Sequence, residues 1–237
     1  MQKLSDFLKK YPHARILDIG TGVGNFIDLI STVNDEYDEI VGIDILDRAI
    51  QAAMINFKDK PRIRFEKMDV LNMTFPEASF DIVCLSNSLH HLSNVDETFI
   101  AMKKVLKNGG AILINEMKSD NLNQSQMSHL LLHHFSAEID RFLGITHYDT
   151  FSRNKILKIA SESSGLNVKS DWDMIFDEPQ SVQKDVVSYI ELLDRQVSRL
   201  GDSPKRPDFQ EKANLIKEHL QSNGISSATQ VLLVLVK

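Results

Sequence analysis

The sequence holds a single cysteine, Cys84, in 237 residues. One cysteine closes no internal disulfide, so the chain is neither a disulfide-stapled scaffold nor a cysteine-based zinc module. Cys84 lies within the apolar run Asp81-Ile-Val-Cys-Leu85 and reads as a small core side chain. Long hydrophobic runs are missing as well: none reaches the roughly 18–20 residues that a membrane span needs. The opening stretch MQKLSDFLKKYPHARILDIG lacks the uninterrupted apolar centre of a secretory signal. A reducing, cytoplasmic compartment is the expectation. There is no lysine-arginine tract, and the net charge is −6 with a pI near 5.7. Phosphate neutralisation needs a positive surface, so duplex DNA and bulk RNA are disfavoured as partners. No repeat or low-complexity tract divides the chain, which leaves one domain, or one domain with insertions.

Strand and helix patterns alternate through the first half. Leu4, Phe7 and Leu8 lie at helical spacing before Pro12. Arg15-Ile-Leu-Asp-Ile19 is a buried strand running into three alternating glycines, and Asn25–Thr32 is a helix on Phe26, Ile27 and Ile30. Glu39-Ile-Val-Gly-Ile-Asp44 is the second strand, and Asp47 is placed to cap a helix on Ile50, Met54 and Phe57. Arg62–Asp69 and Phe80–Leu85 follow as third and fourth strands, the fourth continuous enough to be central. A helix over Glu97–Leu106 on Phe99, Ile100, Val105 and Leu106 ends at Asn108-Gly-Gly110, and Ala111–Ile114 is the fifth strand. Such alternation implies a parallel sheet with helices on both faces, an α/β class fold.

The second half is less regular. Asn121 to about Phe142 is helical and rich in histidine, Asn154–Glu162 is a further helix ended by Gly165, and Leu166–Trp172 alternates like a strand. Val182, Val186, Ile190, Leu193, Val197 and Leu200 then form a helical stripe, which Pro204 and Pro207 break. The stripe suits either a second subunit, making a homodimer, or a lid helix on its own domain. Asp208 with Glu211 resembles a capping box for a last helix ended by Gly224, and Thr229–Val236 is an apolar terminal strand.

A strand ending in a glycine turn that opens a helix is built to meet a ligand, because the backbone can approach closely and the helix start offers unpaired N–H groups. In Asp18-Ile-Gly-Thr-Gly-Val-Gly24 the glycines are Gly20, Gly22 and Gly24. The dinucleotide pattern G-x-G-x-x-G would need a glycine where Asn25 stands, which disfavours NAD. Asp44 ends the second strand, where a carboxylate can accept both hydroxyls of a ribose, although a plain helix cap fits too. Asp69 ends the third, where it could take an adenine amino group beside the backbone of Val70, or simply form a turn.

ILDIGTGVGNF, VGIDI, EKMDV, FDIVCLSNSLHHL and KKVLKNGGAILINEM, in that order, resemble the motifs of class I S-adenosylmethionine-dependent methyltransferases. The resemblance is strong over residues 13–117 and returns at the C-terminus. It implies a three-layer sandwich around a seven-stranded, mostly parallel sheet of order 3-2-1-4-5-7-6, with the last strand antiparallel. It also implies S-adenosylmethionine as methyl donor and S-adenosylhomocysteine as product. Asp18, Gly20 and Gly22 would line the methionine end, with Gly24 also among the cofactor-binding residues. Asp44 would hold the ribose, with Ile45 beside the adenine; Asp69 and Val70 would meet the adenine edge, and Asn87 the amino-acid part. A single methyltransferase domain over 1–237 is expected, with helical insertions at 118–151 and 177–224 covering a substrate.

The sulfonium is already a good leaving group, so alignment does most of the work and a base is needed only for a protonated acceptor. His90 and His91 follow the fourth strand and could line such a site, His91 being preferred, or one could pack while the other faces solvent. In the histidine-rich helix, His129, His133 and Asp140 fall within about 40° of one another at 100° per residue. That stripe suits zinc or iron, or is the helix's wet face; no metal is assigned. His147, Tyr148 and Arg153 complete the candidate substrate contacts, Arg153 as a clamp for an acidic acceptor or as a helix cap. The Asn/Asp-Pro-Pro-Tyr/Phe tetrapeptide of amino-methylating DNA enzymes and a Pro-Cys nucleophile are both absent after the fourth strand. A small metabolite is therefore the expected acceptor. The alternatives are an NAD(P)-dependent oxidoreductase and a non-catalytic cofactor-binding module.

Overall fold

Apolar runs too short for membranes but buried on both faces make inner strands, and the stretches between them bury one face each as helices. The computed structural model describes residues 1–176 and 182–237. Residues 177–181 of the expected insertion, and the side chain of Val182 in its stripe, lie outside the described residues. In chain order the elements are α1 (Gln2–Leu8), β1 (Ala14–Ile19), α2 (Asn25–Val33), β2 (Tyr37–Asp44), α3 (Asp47–Asn56), β3 (Ile63–Lys67), β4 (Phe80–Ser86), α4 (Val95–Val105) and β5 (Leu106–Met117). There follow α5 (Gln124–Phe142), α6 (Arg153–Ser164), β6 (Val168–Met174), α7 (Val182–Ser198), α8 (Arg206–Asn223) and β7 (Gln230–Val236). No helix among the described residues is long and apolar enough to cross a membrane.

The sheet has the order β3-β2-β1-β4-β5-β7-β6, as expected. β1 pairs in parallel with β2 and β4, β2 with β3, and β4 with β5. β7 runs the other way: Lys237 N–H donates to Gly110 O (3.1 Å) and Gly109 N–H to Lys237 O (3.2 Å), so its end meets the start of β5. Ile16, Leu17, Ile40, Val41, Ile82, Val83, Ile112 and Leu113 are at most 1% exposed and form the sheet's inner layer. Full burial of each such side chain stabilises the fold by roughly 1.5–3 kcal/mol. Cys84 is buried among them, and burial, with the nearby Asp18, pushes its thiol pKa well up. It is an inert core residue.

Several local expectations give way. Met54 and Ile100 point outward, while Ala53 and Met102 take their places against the sheet. α3 starts from Leu46, whose N–H is taken by the Asp44 carboxylate (2.9 Å); Asp47 is already inside the helix and caps nothing. Asn108-Gly-Gly110 does not end α4, which stops at Val105. It forms a bulge within β5, where partners Phe80↔Leu106 and Ile82↔Ala111 show the extra residues and Gly109 adopts φ 77°. Pro207 sits in the first turn of α8, where a missing N–H does no harm, so the helix begins before Asp208. No Asp208–Glu211 capping box forms, and Asp208 instead pairs with Lys205 (3.0 Å).

The chain divides into two compact units. The first comprises Met1–Glu116, Asn154–Trp172 and Val231–Lys237, the second Met117–Arg153 and Asp173–Gln230. The second unit has its own core: Leu132, Phe135 and Ile139 of α5, Leu193 and Val197 of α7 with Leu200 just beyond, and Phe209, Ala213 and Leu220 of α8. The apolar stripe of α7 is thus used inside this unit.

Candidate functional site

Neighbouring strands β1 and β4 leave the sheet for connections that run in opposite directions, and the crevice at such a switch point is where α/β sheets bind ligands. Three glycines carry β1 into α2, all with positive φ: Gly20 at 65°, Gly22 at 56° and Gly24 at 94°. A side chain there is strained, which is why glycine stands at each. Their surroundings differ. A Cβ on Gly20 would lie 2.5 Å from Ser88 Oγ, and one on Gly24 2.5 Å from the Phe57 ring, whereas Gly22 faces open space. Ser88, in the loop after β4, donates to Gly20 O (3.2 Å) or Ser86 O (2.9 Å) and clips the two loops together.

Asp18 is 1% exposed, and neither carboxylate oxygen has a hydrogen-bond partner among the described residues. Burial raises its pKa to about 7, and the Asp44 charge adds to the rise. Burying a carboxylate without partners is costly, and this one is suited to a cationic group arriving beside the glycine turn.

Asp44 accepts from Gly22 N–H and from Leu46 N–H, each at 2.9 Å. Each oxygen retains acceptor capacity, enough for a vicinal diol. Asp69, beyond β3, accepts from Leu71 N–H and from the Asn72 side chain, both at 3.0 Å. At these same strand ends Val23, Ile45, Leu46 and Leu71 are exposed by 39% to 62%, apolar surface suited to a flat ring. Asn87 is exposed with φ 45°, and its N–H donates to Asn115 O (2.7 Å). The first unit therefore gathers Asp18, the glycines, Asp44, Ile45, Asp69, Val70 and Asn87 on the carboxyl ends of β1 to β4 and the loops that follow them. Together they fit an adenosine bearing a charged amino-acid tail.

The two histidines after β4 separate. His90 is 1% exposed, its Nδ1 2.9 Å from Glu116 Oε1, while Glu116 Oε2 accepts from Leu89 N–H (3.0 Å). His91, the preferred candidate, is exposed. Glu116 is fully buried and escaped notice in the sequence. Its one signal is a carboxylate in a strand otherwise buried on both faces.

In the second unit, the expected stripe does not act as one site. His129 Nδ1 accepts from Ala228 N–H (3.0 Å), and His134 Nε2 meets Thr150 at 3.0 Å from Oγ1 and 3.2 Å from N. Asp140 is instead joined to His147: Nδ1 lies 2.7 Å from Asp140 Oδ2, and His147 Nε2 lies 3.2 Å from His133 Nε2. Gly144 (φ 80°) makes this possible, ending α5 with Ile145 N–H on Asp140 O (2.8 Å) and turning the chain back along the helix. Burial would raise the Asp140 pKa, but hydrogen bonds and charge from His147 and Arg199 outweigh it and hold it below the usual value. Arg153 pairs with Asp173, which also holds Lys118 at 2.7 Å, and its backbone N–H donates to Asp120 (2.8 Å). Tyr148 is 47% exposed.

Comparison with known proteins bears on the family and the fold. Residues 17–114 match the family described as a methyltransferase domain. A 123-residue stretch is 29% identical to the hybrid PKS-NRPS synthetase apdA of Emericella nidulans, covering 49% of this chain and 3% of that protein. A 105-residue stretch is 30% identical to 27-O-demethylrifamycin SV methyltransferase of Amycolatopsis mediterranei, covering 43% of this chain and 38% of that one. The matches therefore span well under two thirds of these relatives' lengths. Among solved structures, the YcgJ protein of Bacillus subtilis superposes with a TM-score of 0.59 at 18% identity, over 100% of this chain and 99% of that one.

Proposed function

We propose that this chain, whose residues 17–114 match a methyltransferase domain, is a class I S-adenosylmethionine-dependent methyltransferase that transfers the sulfonium methyl to a small-molecule acceptor. The observation that carries the reading is Asp18: a buried carboxylate with both oxygens unbonded, beside glycines that admit a ligand backbone-close. Asp18 would hold the ammonium of the donor's amino-acid part, Asp44 the ribose hydroxyls, and Asp69 with the Val70 N–H the adenine edge. When bound, the donor supplies an activated methyl group. The chain's own residues then have to orient it and exclude water. Holding acceptor and methyl in line can be worth effective molarities up to roughly 10⁵–10⁸ M.

The acidic net charge favours a metabolite over a nucleic acid. An NAD(P)-dependent oxidoreductase is disfavoured by Asn25 at the third glycine position and by the reversed β7. A non-catalytic binding module is disfavoured by the complete set Gly20, Gly22, Asp44 and Asp69.

Thermal unfolding with S-adenosylhomocysteine and, separately, NAD tests the proposal. A ligand at a hundred times its Kd adds about 2.7 kcal/mol of stability. A shift with S-adenosylhomocysteine alone is expected; a shift with NAD alone would sink the reading. Incubation with a labelled methyl donor and a metabolite extract then identifies the acceptor class.

A further inference from the structure

We propose that His133 and His147 bind a divalent transition-metal ion through their Nε2 atoms, at a site contained within the second unit. The two nitrogens are 3.2 Å apart. Two imidazoles bound tetrahedrally at about 2.0–2.1 Å would hold their nitrogens about 3.3 Å apart. A direct N–H···N hydrogen bond spans a similar distance, but it prefers to be straight. Here the ring centroids are 4.9 Å apart and the planes are inclined by 73°. The centroid separation exceeds the nitrogen separation by less than two ring radii, so the nitrogens do not point head-on at one another. An ion bound by both lone pairs would lie off the line between them.

The surroundings are those of a metal ligand. Asp140 accepts at His147 Nδ1, which fixes the tautomer that leaves Nε2 with a lone pair, as carboxylates do behind metal-bound histidines. Arg199 holds the other oxygen of Asp140 at 2.5 Å, and Arg141 donates to His147 O (2.7 Å), so ring and carboxylate are both fixed in place. Because Arg199 offsets the charge of Asp140, the site offers imidazole nitrogen rather than carboxylate oxygen. That donor set selects zinc, cobalt, nickel or copper over magnesium and calcium. His129 and His134, on the same helix, are engaged by Ala228 and Thr150 and are not ligands.

Zinc titrated into the chelator-stripped full chain, against a chromogenic competitor, is the test, and it involves no methyl donor. One equivalent of zinc is expected. His133→Gln, at a half-buried position, and His147→Gln should each weaken binding at least tenfold, and Asp140→Asn by about 10–100-fold. His13→Gln, in the first unit, should leave it unchanged. Circular dichroism of each variant without zinc separates lost ligation from lost fold. If the wild-type chain takes up no zinc, or His133→Gln binds it with undiminished affinity, the proposal is overturned.

Discussion

The two units treat a carboxylate in opposite ways. In the first, Asp18 is almost wholly enclosed and has no hydrogen-bond partner among the described residues, and burial raises its pKa to about 7. In the second, Asp140 keeps two partners, His147 and Arg199, and its pKa falls. The contrast separates a group awaiting its counter-charge from one already provided with it. Desolvation wins where nothing answers the charge; hydrogen bonding wins where something does.

The largest expected effect follows from the sign of the first shift. Asp18 binds its proton more tightly in the folded chain than in the unfolded one. Stability of the ligand-free protein should therefore fall as pH rises from about 4 to about 7, by up to about 4 kcal/mol at 1.36 kcal/mol per unit. Asp18→Asn should abolish that slope in urea melts, and a slope unchanged in the variant would place it elsewhere. Asp140 has the opposite sign: its contribution is complete above the ordinary carboxylate range and is lost as pH falls through its lowered pKa.

The glycine turn offers a sharper comparison within one loop. Gly20→Ala meets Ser88 as well as an unfavourable φ and should cost about 2–3 kcal/mol; Gly22→Ala meets only the φ penalty, about 1 kcal/mol. Equal losses in thermal melts would deny the Ser88 contact. Asp44→Ala should weaken S-adenosylhomocysteine at least tenfold, about 1.4 kcal/mol by calorimetry, with the fold retained. Smallest of all, His91→Ala should change stability by less than about 0.5 kcal/mol, while His90→Ala removes one partner of the buried Glu116 and should cost about 1–3 kcal/mol. Similar effects of the two would erase the distinction between buried and exposed histidine.

The strands of the first unit were legible because inner parallel strands write themselves as unbroken apolar runs, as Phe80–Leu85 does. Helix faces were less so: a step of 100° leaves Ala53 and Met54 both near the boundary, and only the sheet's position chooses between them. The glycine turn, Asp44 and Asp69 could be located from local pattern, since each ends or follows a strand. Ser88 and Glu116 could not, because their roles arise from strand neighbours 68 and 26–27 residues away in sequence. The His147–Asp140 contact was hidden for another reason. It depends on the reversal at Gly144, which a pattern built on continuous helix cannot represent.

The Ser88 hydroxyl reaches from the loop after β4 to the glycine turn that would face the donor. Substitutions at Ser88 will therefore also change how tightly the protein holds its donor. Double-mutant cycles between positions 20 and 88 should show non-additive free energies. Attempts to broaden acceptor choice are better directed at residues outside that clasp, where selectivity can be altered without loosening the donor's grip.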